Sequence, residues 1–204
     1  PFQASTFILE GATERAGFTN EELALMCASH NGEEIHVKTA RSMLNKLELD
    51  VSCLECGCHP PYDVDARNGA REIGFTPFHN NCSGKHAGML SLAIQLGVKT
   101  NDYVSYNHPV QKKIFEQLMR LTRKKNLPFG IDGCSAPTPF LTLKEIAKLF
   151  QSLGADKFPE LTNAYNAMVK HPYLIAGRNR FDTDFNTAMK GRGITKVGGE
   201  AIRG

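Results

Sequence analysis

The sequence holds no apolar run near the roughly 18 residues that a membrane-spanning helix needs, so no such helix and no membrane partner are expected. It has no collagen period, no heptad run, no low-complexity tract and no internal repeat. Fibrous, coiled-coil and solenoid architectures are thereby excluded. Charge of one sign is scarce: 24 Lys and Arg against 21 Asp and Glu leave a net +3. That mild excess does not favour a nucleic-acid partner. No secretory leader follows Pro1. What is present is globular: 41% hydrophobic and 22% charged residues over 204 positions exclude disorder and supply a sizeable core.

The chain starts on Pro1 rather than Met and stops within Gly198–Gly204, so it reads as a fragment of one truncated domain spanning residues 1–204. Its cysteines are Cys27, Cys53, Cys56, Cys58, Cys82 and Cys134. Nothing suggests secretion and a chain this long needs no staples, so reduced thiols in a cytoplasmic protein are expected. The cluster Cys53-x-x-Cys56-x-Cys58-His59 has the look of half a zinc site, but the other half is missing at the usual spacing. Thiols packed as small hydrophobes are the alternative there.

Local signals predict an α-rich α+β chain. Thr19–Glu22 and Thr142–Glu145 have the spacing of reciprocal N-terminal caps. The first helix is expected to run to a stop at Asn31-Gly32, with Ser29 on its last turn. Apolar periodicity predicts further helices over 34–47 and 85–96, with Gly97 closing the second. Pro109 and Pro159 suit first helical positions. Short strands are expected at Pro128–Asp132 and Ile194–Val197. Arg120, Arg123, Lys124 and Lys125 read as a solvated helix end, where cations complement the helix dipole.

Polar residues collect where the amphipathic pattern fails, which is where function is sought. The densest segment is His79-Asn-Asn-Cys-Ser-Gly-Lys-His-Ala-Gly88, set at a helix N-terminus. It lacks phosphate-loop spacing. Gly130-Ile-Asp-Gly-Cys-Ser-Ala-Pro137 reads as a strand turning sharply. Ser29-x-Asn31 and Lys196-x-Gly198 match two of the three motifs of penicillin-recognising enzymes, whereas Ser-x-x-Lys occurs nowhere. A penicillin-binding or β-lactamase-like acyl transferase and a non-enzymatic zinc-binding module therefore stand as alternatives.

With Cys27-Ala-Ser-His30, Cys56-Gly-Cys-His-Pro60, His108-Pro-Val-Gln111, Asp132-Gly-Cys134 and Phe181-Asp-Thr183, the long central motif resembles the asparaginase II family, the Rhizobium-etli-type or class 3 L-asparaginases. The resemblance covers nearly the whole chain. It implies a fold like that of serine β-lactamases and penicillin-binding proteins, hydrolysis of L-asparagine to L-aspartate and ammonia, and a homodimer. It implies two Ser–Lys tandems, one of them on Ser29 and Lys196. The other, a Ser-x-x-Lys leading into Pro-Phe-Gln, would precede Pro1, so the 204 residues alone are expected to be inactive. A zinc ion would be held by Cys82, Lys85 and Cys134, with Asp132 as the acid beside it. Asn80, Asn81 and His86 would orient the ligands and line the substrate side with Asp132, while Arg178 and Arg180 would meet the substrate carboxylate. Asp182 stands where some members have Cys, so no thiol role carries over. Cys53 and Cys58 are extra to the pattern.

Overall fold

The computed structural model describes residues 1–72, 74–199 and 202–204. In chain order the helices are α1 (Phe2–Leu9), α2 (Ala12–Arg15), α3 (Asn20–Met26), α4 (Glu34–Lys46), α5 (Val64–Ala70), α6 (Ser83–Gln95) and α7 (Pro109–Thr122). The hairpin β1 (Phe129–Ile131) and β2 (Pro137–Pro139) follows. Then come α8 (Leu143–Leu153), α9 (Pro159–Lys170), α10 (Pro172–Ala176) and α11 (Phe181–Met189).

Local chemistry fixes several of these starts. Thr19 and Thr142 make the expected capping boxes with Glu22 and Glu145. Pro109 and Pro159 occupy first helical positions, where proline's missing N–H costs nothing. Gly97 ends the turn after α6 at φ 66°. The basic end of α7 is solvated as expected, with Arg120, Arg123 and Lys125 exposed; Arg120 also meets Glu160, and Lys124 Nζ lies 2.6 Å from Glu145.

Helix α6 forms the centre, packed against α1, α2, α3, α4 and α7. Its residues from Ser83 to Ala93 are buried apart from Lys85, which is partly exposed. Phe7, Leu25, Met43, Leu44, Ile114 and Leu161 close the core around it. Two glycines four residues apart permit this closeness. A Cβ on Gly84 would sit 2.4 Å from the Leu25 carbonyl oxygen, and one on Gly88 would sit 2.5 Å from the Phe7 ring. Helix propensity alone would favour alanine at Gly84 by about 1 kcal/mol. Because the obstacle is backbone, Gly84→Ala is expected instead to destabilise by about 1–3 kcal/mol. A urea midpoint unchanged or raised would mean that α6 and α3 are not this close.

The strands pair antiparallel, Phe129 with Pro139 and Ile131 with Pro137. The hairpin answers the strand expected at Pro128–Asp132. Ile194–Val197 is not a strand among the described residues and makes only a single bridge, Val197 with Arg203. Among the described residues the chain is thus helix-rich with one two-stranded sheet, compatible with the α+β class. No helix among the described residues is long and apolar enough to cross a membrane.

Candidate active site

Ser29 does not lie on the last turn of a helix. Helix α3 ends at Met26, and residues 28–33 run without helical structure. The reason is a better set of partners. Ser29 N–H donates to Ile175 O (3.0 Å), Asn31 N–H to Ala176 O (2.8 Å), and between them His30 N–H donates to Asn81 O (3.2 Å). The segment is therefore held on one side by the end of α10 and on the other by the residues leading into α6. Ser29 Oγ accepts from Asn81 Nδ2 at 2.9 Å.

The start of α6 and the hairpin turn meet at a cluster of ionisable groups. Cys82 and Lys85 lie three residues apart at the helix start, hence on one side of it. The turn at 132–136 is closed by Ser135 N–H to Asp132 O (2.8 Å) and Asp132 N–H to Ala136 O (2.9 Å), and it brings in Cys134. Lys85 Nζ donates to Cys134 Sγ at 3.2 Å, and Asp132 Oδ2 lies 3.8 Å from the same sulfur. Cys82 stands beside Cys134 as well, and the interaction of the two sulfurs pushes the Cys82 thiol up while holding Cys134 well below the usual thiol range. Burial works against the Cys134 charge, but His86 and Lys85 add to its stabilisation. For Lys85, burial alone would favour the neutral amine. Cys82, Cys134 and Asp132 outweigh it and keep the ammonium.

His86 Nδ1 lies 2.7 Å from the Tyr103 hydroxyl, which accepts from Glu55 N–H at 2.7 Å. The hydroxyl hydrogen is therefore left for Nδ1, so the ring carries its own hydrogen on Nε2. Nε2 is buried without an aligned partner, and Cys134 is the group whose charge its proton favours.

Lys196 reaches the same region from the far end of the chain. Its amine is buried and pushed down to about 8 by desolvation, with Cys82, Asp182 and Lys85 among its charged neighbours. It bonds Val197 O rather than Ser29, and no hydrogen bond joins Ser29 to Lys196 among the described residues. The backbone around Lys196 is held on both edges: Lys196 and Gly204 exchange N–H···O bonds (3.0 and 3.3 Å) on one, and side chains of α11 take the other. Asn186 takes both Thr195 groups (Thr195 N–H to Oδ1 2.7 Å, Nδ2 to Thr195 O 3.1 Å), and Asp182 Oδ2 accepts from Val197 N–H at 3.1 Å. Asp182 and Asn186 are one turn apart on α11; sequence reasoning named Asp182 only for the thiol it lacks and missed Asn186. The signal available was two polar residues at helical spacing on a buried face.

Other expected site residues are committed elsewhere. Asn80 is buried with its amide on backbone: Nδ2 donates to Cys56 O (2.7 Å) and Oδ1 accepts from Cys82 N–H (2.8 Å). Arg178 is answered by carboxylates, 2.5 Å from Asp65 and 3.5 Å from Asp63. Arg180 is less encumbered. Its Nη1 donates to Asn31 Oδ1 at 2.7 Å, and with Tyr62, Asp63 and Asp65 it lines a cleft of ≈ 570 Å³. Ser83 and His30 look like a nucleophile and base at 2.9 Å, but the polarity is wrong. His30 Nδ1 accepts from Gly32 N–H, so Nε2 keeps its hydrogen and donates.

Cys53, Cys58 and His59 do not assemble a metal site. Cys58 is exposed, and both His59 nitrogens face protein partners. Cys56 is buried, its thiol pushed up to about 12 by desolvation and by the neighbouring Cys134. Among the described residues no group of three or more His, Cys, Asp or Glu side chains could hold a metal ion.

A comparison with curated proteins finds no match. A family model described as L-asparaginase II matches residues 1–204. That family implies a hydrolase acting on an amide, with a small molecule as substrate. With the motif residues Cys82, Lys85 and Cys134 gathered at one point and Lys196 beside them, the chain belongs to the L-asparaginase II family.

Proposed function

We propose that this chain carries the site of an L-asparagine amidohydrolase, releasing L-aspartate and ammonia, on a β-lactamase-like domain. The observation that carries the reading is the convergence of two thiols and two buried amines, Cys82, Cys134, Lys85 and Lys196, next to the segment bearing Ser29. A cytoplasmic location and a homodimer belong to the same proposal through the family resemblance.

Amide hydrolysis needs an activated hydroxyl, a proton for the leaving amine and stabilisation of developing charge. Lys196 suits the first two tasks. An amine near 8 is neutral in an appreciable fraction of molecules at neutral pH, so it can take a proton and return it. Ser29 is the hydroxyl of this tandem, as nucleophile or relay. The resemblance implies a second Ser-x-x-Lys leading into Pro1. The Pro1 nitrogen lies among Cys27, Lys196 and Lys85, so a pair leading into it would stand beside Lys196. Arg180 is the better of the two arginines for a substrate carboxylate, because Arg178 is already neutralised.

Zinc suits the donor set. In a tetrahedral site, Zn–N and Zn–S bonds of ordinary length separate the nitrogen and sulfur by ~3.6 Å. Lys85 Nζ and Cys134 Sγ are 3.2 Å apart, and His86 offers a buried N–H near the sulfur. Cys82, Lys85 and Cys134 would hold the ion, which when bound supplies a Lewis acid with an open position. The ammonium of Lys85 and the thiol of Cys82 must then lose their protons, so binding weakens as pH falls.

The test uses the protein as encoded. Ser29→Ala is expected to lower ammonia release from L-asparagine by at least about a hundredfold, and metal analysis should find zinc. Wild-type turnover would overturn the role of Ser29. Absence of zinc at neutral pH would overturn the metal assignment. Nitrocefin cleavage would favour the acyl-transferase alternative.

A further inference from the structure

The motif Cys56-Gly-Cys-His-Pro60 is not used by the proposed chemistry, yet it delivers a side chain to the reactive hydroxyl. His59 Nε2 lies 3.0 Å from Asn81 Oδ1 and 3.2 Å from the Asn81 backbone nitrogen. A hydrogen on Nε2 serves the first, and a lone pair there serves the second. His59 Nδ1 is 2.8 Å from Pro60 O, and the ring stacks on Tyr62 at 5.0 Å with 25° between planes. The opposite end of the same Asn81 amide donates to Ser29 Oγ at 2.9 Å.

The loop carrying His59 and the residues leading into α6 are both pinned just after Ser29. Tyr62 N–H donates to Asn31 O at 2.9 Å, and Asn81 O accepts from His30 N–H at 3.2 Å. Ser29 itself is anchored by its N–H on Ile175 O at 3.0 Å, and His59 reaches its hydroxyl through a side-chain amide. An amide has one donor end and one acceptor end. Whichever end meets the imidazole, the other meets the hydroxyl, so the ring decides whether Ser29 accepts or donates.

We infer that His59 is a positioning residue for Ser29, acting through the Asn81 amide. The inference rests on the proposed role of Ser29 and names a residue outside that role. It accounts for His59 without a metal. Both ring nitrogens are engaged by the chain, and the stack on Tyr62 fixes the plane in which Nε2 points at Asn81.

The experiment uses the protein as encoded, with L-asparagine as substrate. His59→Phe keeps the ring stacked on Tyr62 and removes both nitrogens. His59→Gln restores an amide group near the position of Nε2. His59→Phe is expected to lower kcat about tenfold to a hundredfold with KM within about twofold, as loss of alignment at a reacting group does. His59→Gln should recover most of that loss. In an Asn81→Ala background His59→Phe should have no further effect, because the contact it removes is already gone. A merely structural role would lower the thermal midpoint and give losses independent of Asn81. Wild-type kcat in His59→Phe, with Ser29→Ala inactive, would overturn this inference alone, as would an additive double variant. Wild-type kcat in Ser29→Ala would overturn the proposed function and this inference together. Should His59→Phe fail to fold, His59→Ala, which also removes both nitrogens, compared with and without Asn81→Ala decides the same question by its additivity.

Discussion

Cys134→Ala is expected to destabilise the folded protein by about 3–5 kcal/mol, the cost of removing one partner from a buried ion pair. Lys85 then keeps an ammonium inside the protein beside Asp132 and the Cys82 thiol, without the thiolate that accepts its hydrogen bond at 3.2 Å. It can escape by losing its proton. Neutralising an ordinary lysine at pH 7 itself costs about 4–5 kcal/mol, so that route gives the same magnitude. The double variant Cys134→Ala with Lys85→Met should recover most of the loss, because both members of the pair are then gone. Urea midpoints of the single and double variants measure this. A chelator arm separates the pair from a metal. If the thiolate–ammonium contact is what stabilises, Cys134→Ala stays less stable than chelated wild type. Equal stabilities after chelation would mean that the cluster stabilises only through an ion, and the ion-pair account would be wrong.

What the sequence made legible follows from the range of the forces involved. Capping boxes at Thr19 and Thr142 and prolines at 109 and 159 act within one helical turn, so the spacing is enough to find them. Cys82 and Lys85 are similarly local, being i and i+3 on α6. Cys134 is another matter. Nothing in its own segment says that its turn packs against the start of α6, and only the family resemblance linked them. Ser29 misled for the converse reason. Its local pattern extends a helix, but carbonyls of Ile175 and Ala176, distant in sequence, offer the backbone better partners. Ile194–Val197 has strand-like residues, and its Lys196 does pair with Gly204, yet its other edge is held by Asn186 and Asp182 side chains, which no periodicity in that segment could reveal. Glycines in a polar motif suggest a backbone relaxed at a site. Gly84 and Gly88 serve the approach of α6 to α3 and α1 instead. Arg178 lost its expected role to Asp63 and Asp65, whose loop only the fold brings opposite.

The other large effect concerns acid. Lowering the pH from 7 to 4.5 should remove about 2–3 kcal/mol of stability through His36 alone. The imidazole is buried in a stack between His30 (4.8 Å, 8°) and Tyr173 (6.2 Å, 9°). Its Nδ1 accepts from Glu33 N–H at 3.2 Å, leaving Nε2 to carry the hydrogen toward Tyr173 O. Desolvation pushes His36 down to about 4. Glu33, the Tyr173 carbonyl and Asp63 favour the cation against it, while Arg180 opposes it. His30 is likewise pushed well down by burial, with His36, His59, His79 and Arg180 adding to the effect. The sign follows directly. The unfolded chain, with His near 6.5, binds protons between about pH 6.5 and 4 while folded His36 does not, so stability is full above 6.5 and falls through that window. Glu33 acts lower. Burial would raise its carboxyl, but hydrogen bonds from Tyr173, Arg178 and Asn31 prevail and depress it, so its contribution is lost only as pH falls below the ordinary carboxylate range. The interval from 6.5 to 4.5 therefore isolates the imidazoles. Urea midpoints across it should fall steeply in wild type and less steeply in His36→Phe, which keeps a stacked ring but cannot titrate. An equal slope in the two proteins would reject the assignment. Should His36→Phe not fold, the imidazole resonances of wild type decide the matter. Those of His36 should stay neutral until close to pH 4, and a midpoint near 6.5 would show that the stack does not exclude the charge.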